Sequence, residues 1–595
     1  MPGIARARRP PRSEVLSLAL LARAKDEEPA QPTPFRVLVR HFLERFFNNE
    51  MVSAEGDAKT RLVQAACVLG LPGLVVALYL YTPYHMARQV RPYWPRAADH
   101  YFYVLYAMVA MGLVTIFEWD LLFPDLLDVL VLSLLPIRNG RTFAARVTAI
   151  SLLLGATLLD SGFMALLVLP AATDPVSLPR FLAAHIVAVA MSGTFGAAFF
   201  LALEGCLLAL YGDRFFRRVS LGLQGIAVIA LLSLLFLYPV TFGALPRIVQ
   251  ARSPIASWCP SFWFLGVYQR ILGGPSTLPA FTRLAHIGIG ATAGAVFLAV
   301  ASYPLAWWRR TCGLVEGAVR RNKLSPLAQP LRPLVHSLLV RTPAGRAIWH
   351  FIGQNLLRVP RYRMILVMAA GMGAALVLAT VVRVRVSHAA FAFLIAPAGL
   401  RATVPIVAFW TVSGLRTTFL APADPRGRWI FRAVAGKTGW NHVRAAQRWV
   451  ECWSALLTMA AVAGARLIAP AAFHGWRVML AQLLVAVGLS VLLTDAFFLN
   501  VATVPFTGSK SNAGTNLALL LIPYLGFFPA LVLFTVGAEP WIEASASHLI
   551  LTAAAAAALH LVLRWKYRVV VAEHEQAVTS DDDEEEFPLR LGLRY

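Results

Sequence analysis

Apolar stretches alternate with short polar breaks along nearly the whole chain. Each stretch is close to the roughly 20 residues a helix needs to cross a bilayer. The runs predict spans at 62–83, 101–118, 145–170, 181–210, 219–243 and 284–307, then at 363–383, 391–413, 451–469, 476–499, 516–537 and 546–565. The long runs at 145–170 and 181–210 can tilt or extend past the hydrocarbon. The fold expected is therefore all-α: a polytopic helical membrane protein with about 12 transmembrane helices in two pseudo-repeated six-helix halves.

The breaks repeat as well. Before the first set lies FRVLVRHFLERFF, in which Phe35, Leu38, Phe42 and Phe46 share one helical face and Arg36, Arg40 and Glu44 another. That pattern suits a helix lying in the membrane interface. AIWHFIGQNLLR (Ala347–Arg358) holds the same place before the second set.

Between the second and third runs stands EWDLLFPDLLDVLVLSLLPI, too acidic and too broken by Pro124 and Pro136 to be a span, with a basic hinge at Arg138, Arg141 and Arg146. The second half has its own elbow over Gly414–Arg448. Before the sixth run, SWCPSFWFLGVYQRILGG carries Trp258, Trp263, Phe264 and Tyr268, residue types of the interfacial aromatic belt. A re-entrant or surface helix is expected there. The second half has only a short loop, 538–545, in the equivalent place.

The domain plan follows. Residues 1–60 form an N-terminal region with the amphipathic helix, and 61–310 the first half. Residues 311–362 form a basic connector, 363–568 the second half and 569–595 an acidic tail. Residues 1–34 are rich in Pro, Arg and Ala and are expected to be disordered. No apolar core directly follows MPGIARARRPPR, so no cleaved signal peptide is expected.

Composition supports this class. The chain is 58% hydrophobic and 14% charged, against roughly 25% charged in soluble domains. The net charge of +23 reads as topology rather than nucleic-acid binding. Lys and Arg concentrate in the segments that fall inside if the N-terminus is inside: Arg214–Arg218, Arg309–Arg363 and Arg416–Arg448. Arg88, Arg91 and Arg96 run against that bias. Both termini are expected in the cytoplasm of a multi-pass inner (plasma) membrane protein, whose first partner is the lipid bilayer. The five cysteines are scattered and indicate neither a disulfide framework nor a metal site.

Candidate chemistry is sparse. AGKTG at Ala435–Gly439 resembles a phosphate-cradling loop but has Phe431 where the first glycine belongs, with no strand before it. No nucleotide site or other cofactor is expected in this chain. Asp160, Glu204 and Asp495 lie within predicted spans, where an acid is costly and a functional candidate. Each is either an ion-coupling group or a structural hydrogen bond. His185 and His286 sit near span starts and are expected at the interface. Gly290 and Gly294 form G-x-x-x-G, which lets helices approach closely inside the bundle or in a dimer seam.

The first elbow, with its FPD and LP landmarks, resembles part of an ABC-2-type transporter permease, of the large duplicated bacterial kind. WFLGVYQRILGG (Trp263–Gly274) and GLRTTFLAPADPRGRWIFR (Gly414–Arg432) are similar to the same group. The resemblance implies six spans per unit, a cytoplasmic coupling element between the second and third, and an outer re-entrant element before the last. It implies an exporter driven by a separate ABC ATPase subunit, with no catalysis in this chain. The coupling residues would be Asp125, Leu126, Asp128 and Leu130 in one elbow and Arg428, Trp429, Phe431 and Arg432 in the other. Two other classes remain: an ion-coupled secondary transporter using Asp160, and a membrane-embedded enzyme acting on lipids or glycans.

Overall fold

The computed structural model describes residues 33–47, 58–86, 91–124, 126–250, 254–317, 342–387, 390–420, 440–499, 501, 505–506 and 517–581. Eleven helices among them are long and apolar enough to cross a membrane. The chain is a multi-pass helical membrane protein.

In the first half an amphipathic helix, α1 (Pro34–Phe47), packs along α6 (Asn139–Thr173) and touches α2 (Ala58–His85). The predicted span 62–83 lies in α2, which is not one of the eleven. Helix α3 (Tyr93–Phe117) is the central post, with 83% of its apolar window buried. The chain then forms two short helices, α4 (Trp119–Leu122) and α5 (Leu126–Ser133), before α6. The elbow that Pro124 and Pro136 predict is thus a helical pair.

The helix Leu178–Phe236 breaks at Gly212, where φ is 73° and ψ 174°. A side chain would be strained in that conformation, so glycine permits the reversal. The break yields two spans, α7 (Leu178–Asp213) and α8 (Arg218–Phe236).

Helix α8 ends short of the predicted 243. The chain continues as α9 (Tyr238–Gln250), α10 (Pro254–Trp258) and α11 (Pro260–Gly273) before the long α12 (Pro279–Gly317). The aromatic-belt expectation for this stretch holds only at its edge. Trp258 is 83% exposed, whereas Phe264 and Tyr268 are fully buried and Trp263 is half-buried. Helix α11 is inserted among α3, α7 and α12, so its aromatic rings meet protein rather than headgroups.

The second half opens with α13 (Pro343–Arg358), capped by the Thr342 hydroxyl accepting from Gly345 N–H at 3.2 Å. Next come α14 (Pro360–Val381), α15 (Pro397–Leu420), α16 (Trp440–Ile468), α17 (Trp476–Phe497), α18 (Leu517–Ala544) and α19 (Ala546–Asp581).

Between α14 and α15 stands an antiparallel hairpin, β1 (Val382–Ser387) and β2 (Ala390–Ile395), with Val382 opposite Ile395. It corrects the span start predicted at 391. VRVRV alternates with period two, a strand pattern inside an otherwise helical count, and Pro397 starts the helix.

The halves join through α14 and α8. Met364 and Ala375 belong to the first half's core, and a Cβ at Gly371 would stand 2.6 Å from Val228 Cγ1. Helix α19 lies outermost, with none of its apolar window buried. The outward leucines and phenylalanines of α6 and α12 suit contact with lipid.

Candidate functional site

The first elbow is held by one arginine. Arg146 of α6 is buried and donates to Asp128 Oδ2 at 2.7 Å, to the carbonyl of Leu121 at 2.5 Å and to that of Phe123 at 2.8 Å. Its guanidinium lies 5.1 Å from the Phe42 ring and 5.8 Å from the Trp307 ring. The Tyr303 hydroxyl donates to the Leu122 carbonyl at 2.6 Å. The carbonyls at the end of α4, which have no helical partner of their own, are satisfied in this way. Arg45 of α1 donates to the other oxygen of Asp128.

This placement corrects the reading of Asp128 as a charge offered to a partner. It is 7% exposed and neutralised by two arginines, so it braces the elbow against the surface helix. Leu130 is 52% exposed and Leu134 86% exposed. Asp125, the side chain of Leu126, and the second-elbow residues Arg428, Trp429, Phe431 and Arg432 lie outside the described residues.

A second cluster, which periodicity did not reveal, lies where α11 enters the bundle. Arg91 grips Asp99 through two hydrogen bonds of 2.6 and 2.8 Å, and the Tyr84 hydroxyl donates to Asp99 at 3.0 Å. Burial alone would lower the Arg91 guanidinium, but the bond to Asp99 and its charge hold it above its ordinary value. Next along α3, His100 stacks on Tyr268 with centroids 4.3 Å apart and meets Gln269 at 3.2 Å. His185 of α7 meets the Tyr268 hydroxyl at 3.4 Å. His185 is 2% exposed: the inserted α11 covers it, so it faces protein. The polar pair Asp99–His100 before a tyrosine-rich run was the available signal.

The three predicted intramembrane acids are not brought together. Asp160 is half-buried on α6 beside Gly70 of α2, and its Oδ2 has no hydrogen-bond partner among the described residues. Glu204 is buried on α7, within electrostatic reach of Tyr303. Asp495 of α17 is buried in the other half and hydrogen-bonded to His560 of α19.

Comparison with protein-family models, with curated proteins and with solved structures finds no match to this chain.

Proposed function

We propose that the protein is the permease subunit of an ATP-driven membrane exporter whose ATPase is a separate chain. The observation that carries this reading is the first elbow. Two short helices are fastened to the surface helix and to α6 by Asp128, Arg45 and Arg146, while Leu130, Val131, Leu134 and Leu135 stay exposed. A rigid bracket with an apolar edge, followed by the exposed Arg138 and Arg141, is what a force-transmitting contact requires. The order of elements gives further support. The amphipathic α1, the helices α2 and α3 and an elbow lead into the long helices, and a broken helical insertion precedes the last of them in the first half. In this reading the elbow faces the cytoplasm of the inner membrane, with both termini on that side.

Because Asp128 is enclosed, reversing its charge would disrupt the bracket and report on folding. The informative variants are Leu134→Asp alone and with Leu130→Asp. The wild-type protein, purified from its host membranes, is expected to carry a nucleotide-hydrolysing chain. The double variant should reach the membrane in equal amount with that chain reduced at least about tenfold, equivalent to about 1.4 kcal/mol of lost affinity. An undiminished partner would mean that the leucines merely rest in lipid, and no ATPase with the wild type would end the exporter reading.

One observation favours a second reading, ion coupling at Asp160: the unpartnered Oδ2 beside Gly70.

A further inference from the structure

The second half contains a row of buried polar side chains, a polar seam, where the hydropathy pattern shows only spans. Along α17, Gln482, Ala486, Ser490 and Thr494 recur every fourth residue on one buried face, with Asp495 following. Along α16, Gln447, Ser454 and Thr458 are likewise buried. The two faces meet. Ser454 Oγ donates to Ser490 Oγ at 3.1 Å, Thr458 Oγ1 lies 3.1 Å from Ser490 Oγ, and Thr458 also donates to the Ala486 carbonyl at 3.3 Å.

Both ends of the seam are ionic. At one, Asp495 bonds to His560, and Glu451 faces Arg564 at 4.0 Å, with Arg444 and Arg448 close by on α16. At the other, Gln482 Nε2 donates to Glu539 Oε2 at 2.9 Å and to Glu543 Oε1 at 3.5 Å, while Arg401 of α15 donates to Glu543 Oε2 at 2.8 Å. The thirteen steps along the helix from Gln482 to Asp495 rise about 20 Å, roughly two-thirds of the hydrocarbon thickness.

Among the described residues, the Glu539 end is short of one positive charge. Glu539 and Glu543 share a single guanidinium, Arg401, which is 3.8 Å from Glu539 and 2.8 Å from Glu543. His548, the neighbouring titratable group on α19, is engaged with the Trp541 carbonyl and ring. Glu539 is 0% exposed, and its Oε1 has no hydrogen-bond partner among the described residues. An unpaired carboxylate in such a place is strongly disfavoured, and one proton removes its charge. Ser and Thr hydroxyls both donate and accept. The hydroxyls of Ser454, Thr458 and Ser490, linked at 3.1 Å, can pass a proton among themselves, and water would complete the path from them to either ionic end.

We propose that Glu539 is a proton-binding site at one end of a hydroxyl-lined seam through the second half, with the Asp495–His560 pair at its other end. The inference stands on α15 to α19 and is independent of any ATPase contact at the first elbow.

Two measurements on the purified full-length protein test it. Infrared difference spectra recorded through a pH titration should show a protonated-carboxyl band that Glu539→Gln removes. In proteoliposomes, a potassium-diffusion potential should drive proton entry, read by a trapped pH dye, above that of protein-free vesicles. Glu539→Gln should lower this entry at least tenfold, and Ser490→Ala should slow it several-fold without touching the infrared band. Glu539→Gln preserves shape; if it nonetheless misfolds, Ser490→Ala still reads the seam. Absence of a titrating band that depends on Glu539, flux unchanged in Ser490→Ala, or flux that requires sodium at fixed pH would each overturn the proposal.

Discussion

Arg146 shows how much of a membrane protein can rest on one buried charge. It joins α6 to Asp128 of α5 and to two carbonyls at the end of α4. Removing one partner of such a pair leaves the other charged and unsolvated, at a cost of about 3–5 kcal/mol. Arg146→Ala is expected to lower the thermal unfolding temperature in detergent markedly. Arg146→Lys should recover only part of the loss, since an ammonium cannot span the carboxylate and both carbonyls with a planar fork. Equal stability of Arg146→Ala and wild type would show that the bracket is held elsewhere. None of these bonds was legible in the sequence, where Arg146 was one of three basic residues in a hinge. Its partners are 18 to 25 residues away, and charge counting carries no distance.

Among the elements, the inserted helix α11 depends on close approach. A Cβ at Gly266 would stand 2.7 Å from Ala285 N, Phe281 O and Leu284 Cβ of α12. Backbone cannot yield as a flexible side chain can, so Gly266→Val should separate the two helices. Overpacking of this kind costs about 1–3 kcal/mol. The glycines that G-x-x-x-G singled out behave differently. Gly290 and Gly294 have nothing within 4 Å of an added Cβ, so the motif makes no close packing inside the described bundle. Thermal unfolding should show Gly266→Val destabilised and Gly290→Ala or Gly294→Ala close to wild type; the reverse order would mean that α11 is not seated as described.

For the whole molecule, the proposed orientation rests on the Lys and Arg bias, about which helix packing is silent. In a background with the five native cysteines replaced, an impermeant thiol reagent added to intact cells should label Ser253→Cys and Ser276→Cys. It should leave Asn139→Cys and Gly427→Cys unlabelled. Labelling of position 139 or 427 from outside would invert the topology and remove the elbow from the cytoplasm. The two halves are unlike in their polar interiors. The first buries a histidine–tyrosine cluster around α11, and the second a hydroxyl seam between two ionic ends.

By itself the sequence determined the membrane class, most of the spans, the amphipathic helix before each half and the existence of the first elbow. These follow from local periodicity and from the length of apolar runs, which a bilayer converts directly into helices. It also located Asp495, because a charge inside a span stands out in one dimension. Only the tertiary structure decided what such charges do. It enclosed Asp128 between arginines of α1 and α6, buried His185 under the inserted helix that carries Tyr268, and joined Glu539 to Gln482 across 57 residues. Glu539 and Glu543 lie in the short loop predicted at 538–545, where acids attract no notice. Their meaning comes from sharing one arginine of another helix, and three-dimensional packing alone brings those groups together.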